Sequence, residues 1–403
     1  MPVPFPTDAD ADRSRPTKDE AWLNARAFAS AAAPAEGLTQ LQAFALRGLT
    51  QALTADLLEL GDLSLLEPIT PEAYAEGNAR RDKGYRIRRV QTMVLLELLL
   101  RPLPDAVAAR VEAFADALGV GDDCREVVAA TRHLAAGATD MALADFMRNG
   151  YEVLHLERAG EDRPEDVSSY WAPAHDDPAL AARWDAMRDG SPTSLGRCVW
   201  EFYKGRGFNF PGTPNSVPPR LAQHDFVHVL ADYGTTVESE IEVFALIARA
   251  DEDPRSFSLL VAVLALFEGG YLEQGLGAFR ADPGHLSHDS SGMGIRLGNA
   301  IARGGEVAWR FHENRGIDLL AVDWHDRAHE ELDDLRQEFG FDGPGAKSLE
   351  AKAAGSAGPF QPGGVTVAQL QWGRDMARAE GRAYDPFGAS LSTGQADLPD
   401  GAD

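Results

Sequence analysis

Cysteine is nearly absent: Cys124 and Cys198 stand far apart, and no C-x-x-C occurs. That excludes a thiolate zinc site and a disulfide framework, and it suits a reducing compartment. Basic residues are scarce beside acidic ones, 38 Lys+Arg against 63 Asp+Glu, for a formal charge of −25. A surface of that sign repels phosphate backbones, so no nucleic-acid partner is expected. Nor is there a basic patch to hold an anionic membrane. Long apolar runs are lacking too. Met93–Leu100 is interrupted by Glu97, and Leu259–Phe267 is short of the roughly 20 residues that span a bilayer. The first dozen residues, Met1-Pro2-Val3-Pro4 running into Asp8, Asp10 and Asp12, have neither a basic region nor an apolar core, so no signal peptide is expected. The expected location is cytoplasmic, with contact to the inner face of the membrane left open through an apolar surface. Several catalytic signatures are also missing: G-x-S-x-G, G-x-x-x-x-G-K, a G-x-G-x-x-G after a strand, and H-E-x-x-H.

Strand-like alternation is scarce, whereas helical periodicity runs through most of the chain. Leu41, Phe44, Ala45, Leu49, Leu53, Leu57 and Leu58 recur mostly at steps of three and four. The pattern returns over 90–100, 106–118, 123–135 and 139–154, with Pro102 and Pro104 between the first two. The expectation is an all-α protein of two helical domains with disordered tails. In detail, it comprises a tail over 1–36, a bundle over 37–160, a linker over 161–190 rich in Asp, Pro and Ser, a second helical domain over 191–342, and a mostly flexible tail over 343–403 with at most one helix near 365–379.

The chemistry concentrates in His224-Asp225-x-x-His228-x₁₁-Glu240. Pro218 and Pro219 suit a helix start, and Gly234 suits a left-handed cap, so a helix over 220–233 is expected. Most of it is apolar, yet one seam carries His224, Asp225, His228 and Asp232. Residues three and four apart are neighbours on a helix. Two imidazoles and a carboxylate facing a core are costly unless something pairs them, and a divalent cation would. The next helix offers a further ligand. Thr235-x-x-Glu238 fits a capping box that would employ Glu238, which leaves Glu240 as the inward candidate. The motif is short, and two satisfied core histidines with acids facing water would produce it as well.

Two other clusters compete. His285-x-x-His288-Asp289 lies in a Gly/Ser-rich stretch where polar residues are ordinary. His325-Asp326-x-x-His329-Glu330 repeats the spacing, but the apolar stripe there is Ala328, Leu332, Leu335 and Phe339, as on an exposed amphipathic helix. The apolar run Leu259–Phe267 has two readings as well. It is a buried core helix, or its far side joins Phe244 and Ile247 in lining a tunnel for a lipid tail.

With these residues in view, the chain resembles the coenzyme Q biosynthesis family, fourth member, over about 190–342. The resemblance rests on Thr193-Ser194-Leu195-Gly196-Arg197, the spaced motif, the link Asp232-Tyr233-Gly234-Thr235-Thr236-Val237, and a closing helix expected over Trp324–Phe341, with Trp324, Leu332, Leu335-Arg336 and Glu338-Phe339-Gly340-Phe341. The N-terminal bundle is faintly similar to TerB-type tellurite-resistance proteins. The resemblance to the coenzyme Q family implies a helical fold and a divalent metal, zinc, held by His224, Asp225, His228 and Glu240. It implies action on a prenylated hydroxybenzoate-type intermediate, with ring decarboxylation and hydroxylation, by an enzyme of the lyase or decarboxylase kind. The alternatives are a non-catalytic lipid-binding scaffold or, more remotely, an H-D type metal phosphohydrolase. The implied partners are a prenylated quinone precursor or other lipid, other quinone-biosynthesis proteins, and a second copy of the chain. Arg197 is a candidate contact for an anionic substrate group or a plain surface charge. The sequence departs from the family in the large N-terminal bundle, in the short stretch 218–223 and across 256–294.

Overall fold

In the computed structural model, residues 16–54, 60–153, 176–214, 216–268, 290–311 and 316–387 are described. All of the regular structure among them is helical, with one isolated bridge between Ser194 and Glu331. The all-α expectation therefore holds. No helix among the described residues is long and apolar enough to cross a membrane.

The N-terminal half contains α1 (Lys18–Ala32), α2 (Gln40–Thr54), α3 (Pro71–Gly77), α4 (Lys83–Glu97), α5 (Asp105–Ala117), α6 (Arg125–Ala135) and α7 (Thr139–Val153). Residues 1–15 of the expected tail over 1–36 lie outside the described residues; over the rest of it, the helix α1 is a correction. Thr17 and Glu20 form a reciprocal capping box, and Ala25, Phe28 and Ala31 are buried against the neighbouring helices. Tail-like composition misled because many of its small residues are alanines, which pack closely without announcing a strong apolar stripe. The centre of this half is α4, with Val90, Met93, Val94 and Leu96 fully buried.

The C-terminal half adds α8 (Pro178–Asp185), α9 (Leu195–Arg206), α10 (Gln223–Leu230), α11 (Val237–Ala250), α12 (Phe257–Phe267), α13 (Ser290–Arg310), α14 (Leu332–Phe339), α15 (Leu349–Ala353) and α16 (Val367–Ala379). The two halves share one continuous hydrophobic core, so the expected boundary between 37–160 and 191–342 does not divide the packing. Glycine carries the largest contact between the halves. A Cβ on Gly48 of α2 would lie 2.3 Å from the Gly294 oxygen of α13, and one on Gly298 would lie 2.7 Å from the Gly48 oxygen. Only helices lacking those side chains can cross so closely. The Gln91 amide donates to the Arg255 carbonyl at 2.9 Å, and the Asn149 amide donates to Ser258 Oγ at 2.5 Å.

α12 settles the apolar run as core. It lies against α4, α7 and α11, and Leu264 and the facing Ile247 are fully buried. The far side proposed for a lipid tunnel is packed protein.

Residues 344–387, expected to belong to a mostly flexible tail over 343–403, are also a correction, while 388–403 lie outside the described residues. α15 and α16 dock on the C-terminal half, and residues 357–364 supply backbone partners to the loop between α10 and α11.

Candidate metal centre

α10 is shorter than the expected 220–233. Residues 219–222 form a turn closed by the Ala222 amide donating to the Pro218 carbonyl at 2.9 Å. The helix ends in a left-handed residue, which is Asp232 (φ 57°) rather than Gly234. The Tyr233 amide reaches back to the His228 carbonyl at 2.8 Å, and the Asp232 amide points to the Val229 carbonyl, a Schellman closure. Aspartate is among the few residues that tolerate this conformation. Gly234 is needed for another reason: a Cβ there would stand 2.3 Å from the Gly364 oxygen. α11 is capped by Thr236, which accepts from the Ser239 amide, so the expected box of Thr235 and Glu238 does not form. Thr235 instead donates its hydroxyl to Gln369 Oε1 at 2.8 Å.

This geometry brings together all four residues singled out in the sequence. His224, Asp225 and His228 are buried and offer ligand atoms within 4.8 Å of one another. Glu240 reaches both imidazoles from α11: its Oε2 lies 3.7 Å from His224 Nε2 and 3.3 Å from His228 Nε2. His224 Nε2 is also 3.5 Å from Asp225 Oδ1. Outer contacts orient the donors. His224 Nδ1 lies 2.5 Å from the Leu221 carbonyl, which can only accept, so Nδ1 carries the proton and Nε2 faces the cluster. Tyr203 donates its hydroxyl to Asp225 Oδ2 at 2.5 Å, which leaves Oδ1 turned to His224.

The electrostatics describe a site built for positive charge. Burial alone would depress the His224 imidazolium, but Asp225 and Glu240 outweigh it and raise its pKa to about 9. Burial likewise works against the Glu240 carboxylate, yet the two histidines hold its pKa far below the usual range. At 3.3 Å the contact of His228 with Glu240 is close enough for charge attraction. Both ring nitrogens of His228 and Oε2 of Glu240 are buried without a hydrogen-bond partner. Orphaned donors of this kind are costly in a protein interior, and a shared cation satisfies them together. Two imidazoles and two carboxylates are a donor set that fits zinc, and that fits other divalent first-row metals as well.

Two contributors had no signal in the spacing. Tyr203 sits on α9 among Trp184, Phe208 and Phe210, where it reads as an ordinary core aromatic. Arg206, also on α9, is fully buried. Its guanidinium lies over the Phe202 ring and donates to Thr235 Oγ1 at 2.8 Å and to the Pro359 carbonyl at 2.5 Å. Burial lowers its pKa to about 9, with Asp225 and Glu240 opposing. Phe202 in turn stacks beside His228, with ring centroids 5.7 Å apart.

The competing clusters fare differently. Residues 285–289 lie outside the described residues. His325-Asp326-x-x-His329-Glu330 is not on a helix: residues 324–329 are turns, and α14 begins only at Leu332. His325 packs edge-on against Trp184 at 4.6 Å, and burial there pushes its pKa down to about 4. Its charged neighbours do form a solvated network, with Arg327 paired to Glu330 and Glu338. Arg197 resolves as a surface charge. It pairs with Glu201 at 2.8 Å and donates to the Arg188 carbonyl.

Fold and site together define an all-α protein with a buried His-Asp-His-Glu cluster that could hold a divalent cation. No family model, curated protein or solved structure matches the chain.

Proposed function

We propose that this chain is a divalent-metal protein of the coenzyme Q biosynthesis type, acting on the ring end of a prenylated hydroxybenzoate-type intermediate. The observation that supports this most directly is the set of unpartnered donors on His228 and Glu240, aligned with His224 and Asp225 in a buried cluster. A divalent ion bound there supplies a Lewis acid toward a ring carboxylate or phenolate oxygen. Zinc suits the decarboxylation; hydroxylation of the ring carbon requires dioxygen and a redox-active metal or the substrate's own redox chemistry.

The chain's own residues carry the rest of the work. Leu221 fixes the His224 tautomer, and Tyr203 holds Asp225 by one oxygen. Phe202 and Phe244 wall the histidines with apolar rings, which keeps bulk water from the donors. Arg206 adds a buried positive charge on the α9 side, favourable for an anionic ring substituent.

The test is direct. Metal-loaded protein is incubated in air with prenylated 4-hydroxybenzoate, and carbon dioxide release and ring products are followed. Turnover that disappears in a folded His228→Ala variant supports the enzyme. Prenylated lipid co-purifying with metal-loaded protein that never turns it over would make the chain a lipid-carrying scaffold. Metal-loaded protein that neither binds nor converts the compound would defeat the quinone reading.

A further inference from the structure

On the side of α11 away from the metal ligands lies a second buried polar cluster that the proposed reaction does not use. Glu242 of α11 is fully buried and accepts from Arg296 Nη2 of α13 at 2.7 Å. Arg296, Asn299 and Arg303 follow one another at three- and four-residue steps, hence along one face of α13. The Arg303 guanidinium lies 4.7 Å from the centroid of the Tyr233 ring and donates to the Ala231 and Gly345 carbonyls at 2.8 and 2.6 Å. Lys347 Nζ lies 5.3 Å from the same ring and 3.3 Å from Asp232 Oδ2.

The cluster is left unsatisfied in a patterned way. Arg296 Nε, Arg303 Nη1, Lys347 Nζ and the Tyr233 hydroxyl are buried donor groups with no hydrogen-bond partner. Glu242 Oε1 and Asn299 Oδ1 are buried acceptors with none. Arg303 meets Tyr233 and Lys347 pairs with Asp232, yet none of these six atoms completes a hydrogen bond, and a bridging ligand that both accepts and donates would satisfy them together. Among the described residues, Arg296 pairs with Glu242 and Lys347 with the half-exposed Asp232, whereas Arg303 is held by two backbone carbonyls. An excess positive charge in a dry interior calls for an anion. Burial also draws the Lys347 ammonium below its ordinary pKa, with Asp232 and Glu242 offsetting only part of that.

The orphaned acceptors narrow the choice of anion. Sulfate can take hydrogen bonds from the four donors, but it has no proton for Glu242 or Asn299. An ionised carboxylate likewise has no proton to donate. A phosphate group that keeps one proton does both, accepting from the cations and Tyr233 while its P–OH donates to Glu242. We infer that Tyr233, Glu242, Arg296, Asn299, Arg303 and Lys347 form a binding site for a protonated phosphate group, either inorganic phosphate or the end of a phosphate monoester. The site is separate from the metal cluster and does not rest on the reading of that cluster.

The experiment uses the full chain, purified without phosphate buffers, before and after chelation of metal. Denatured protein is assayed for released phosphate, and native protein is titrated calorimetrically with inorganic phosphate, phenyl phosphate and sulfate. The expected result is about one phosphate per chain, carried or taken up, with sulfate at least tenfold weaker and chelation without effect. Tyr233→Phe keeps the ring and removes one donor, so it should weaken phosphate by about tenfold. Lys347→Met should weaken it further, and both variants should keep their metal content. Tighter binding of phenyl phosphate than of inorganic phosphate would identify a monoester as the ligand, and the reverse would identify the free ion. Absence of both released and bound phosphate at millimolar concentration would overturn the inference, as would equal affinity for sulfate. Unchanged affinity in folded Tyr233→Phe and Lys347→Met proteins would do the same.

Discussion

His228 Nε2 stands 3.3 Å from Glu240 Oε2, one carried by α10 and the other by α11, and neither atom makes a hydrogen bond. Two buried groups brought this close without a completed hydrogen bond are a geometry that a shared cation would satisfy. Purified protein is therefore expected to hold about one divalent ion per chain. His228→Ala and Asp225→Ala should lose it, and Glu240→Ala should weaken it. His325→Ala combined with His329→Ala should leave metal content unchanged. Elemental analysis of the folded variants decides, and full occupancy in His228→Ala would sink the site.

Removing the ion should also lower stability, because the ion binds only the assembled cluster. At a free metal concentration about 100 times the dissociation constant, the stabilisation is about 2.7 kcal/mol. A chelator should lower the melting temperature of the wild-type protein by several degrees and leave that of His228→Ala unmoved. An equal drop in both would place the chelator's effect elsewhere.

The loop joining the metal helices is held from far along the chain. The Gly234 amide donates to the Ala357 carbonyl at 2.9 Å and the Thr235 amide to the Gly364 carbonyl at 2.7 Å, while Arg206 reaches Pro359. A fragment of about residues 188–345 contains all four ligands but none of these partners. It is expected to bind metal poorly and to melt without a sharp transition. A cooperative, metal-replete fragment would show that residues 346–387 are dispensable.

Gly234→Ala tests the same contact with a single methyl group. The new Cβ would meet the Gly364 oxygen at 2.3 Å, backbone against backbone, so the loop has to move. The expected cost is roughly 1–3 kcal/mol, with reduced metal affinity. Gly61→Ala, whose Cβ meets nothing within 4 Å, is the control and should stay near wild type in thermal melts.

Glu97, at the end of α4, predicts a pH effect. Burial raises its pKa to about 8, and the Thr131 hydroxyl together with the charges of Arg132 and Arg110 offsets only part of that. The folded chain thus keeps a proton that the unfolded chain releases near the ordinary value of 4.5. This group's contribution is full below that value. It declines as pH rises toward 8, at about 1.4 kcal/mol per pH unit, and is flat beyond. Glu97→Gln should remove that slope from denaturant-derived stabilities measured between pH 5 and 8. An identical slope in the variant would assign it to other groups.

The ligand spacing and the helical period were legible in the sequence because both are local. Residues three and four apart share a helix face whatever surrounds them, so His224, Asp225 and His228 could be grouped on one side of α10 and Glu240 chosen on α11. The core role of 259–267 was one of two open readings, and packing against α4, α7 and α11 decided it. Other features had no local signature. α1 is built largely from small residues whose burial depends on what they meet. The left-handed cap fell to Asp232 because Gly234 was taken by the approach of Gly364, 130 positions on. Tyr203 and Arg206 orient the cluster from α9, and the tail after 343 supports it through main-chain carbonyls, which every residue possesses and no composition reveals. The paired cations on α13 look like a charged face until α11, Tyr233 and Lys347 close over them. Sequence period determined the helices and proposed the ligands. Only tertiary contact determined what lies opposite each of them, because hydrogen bonds and burial between distant segments depend on where the chain returns.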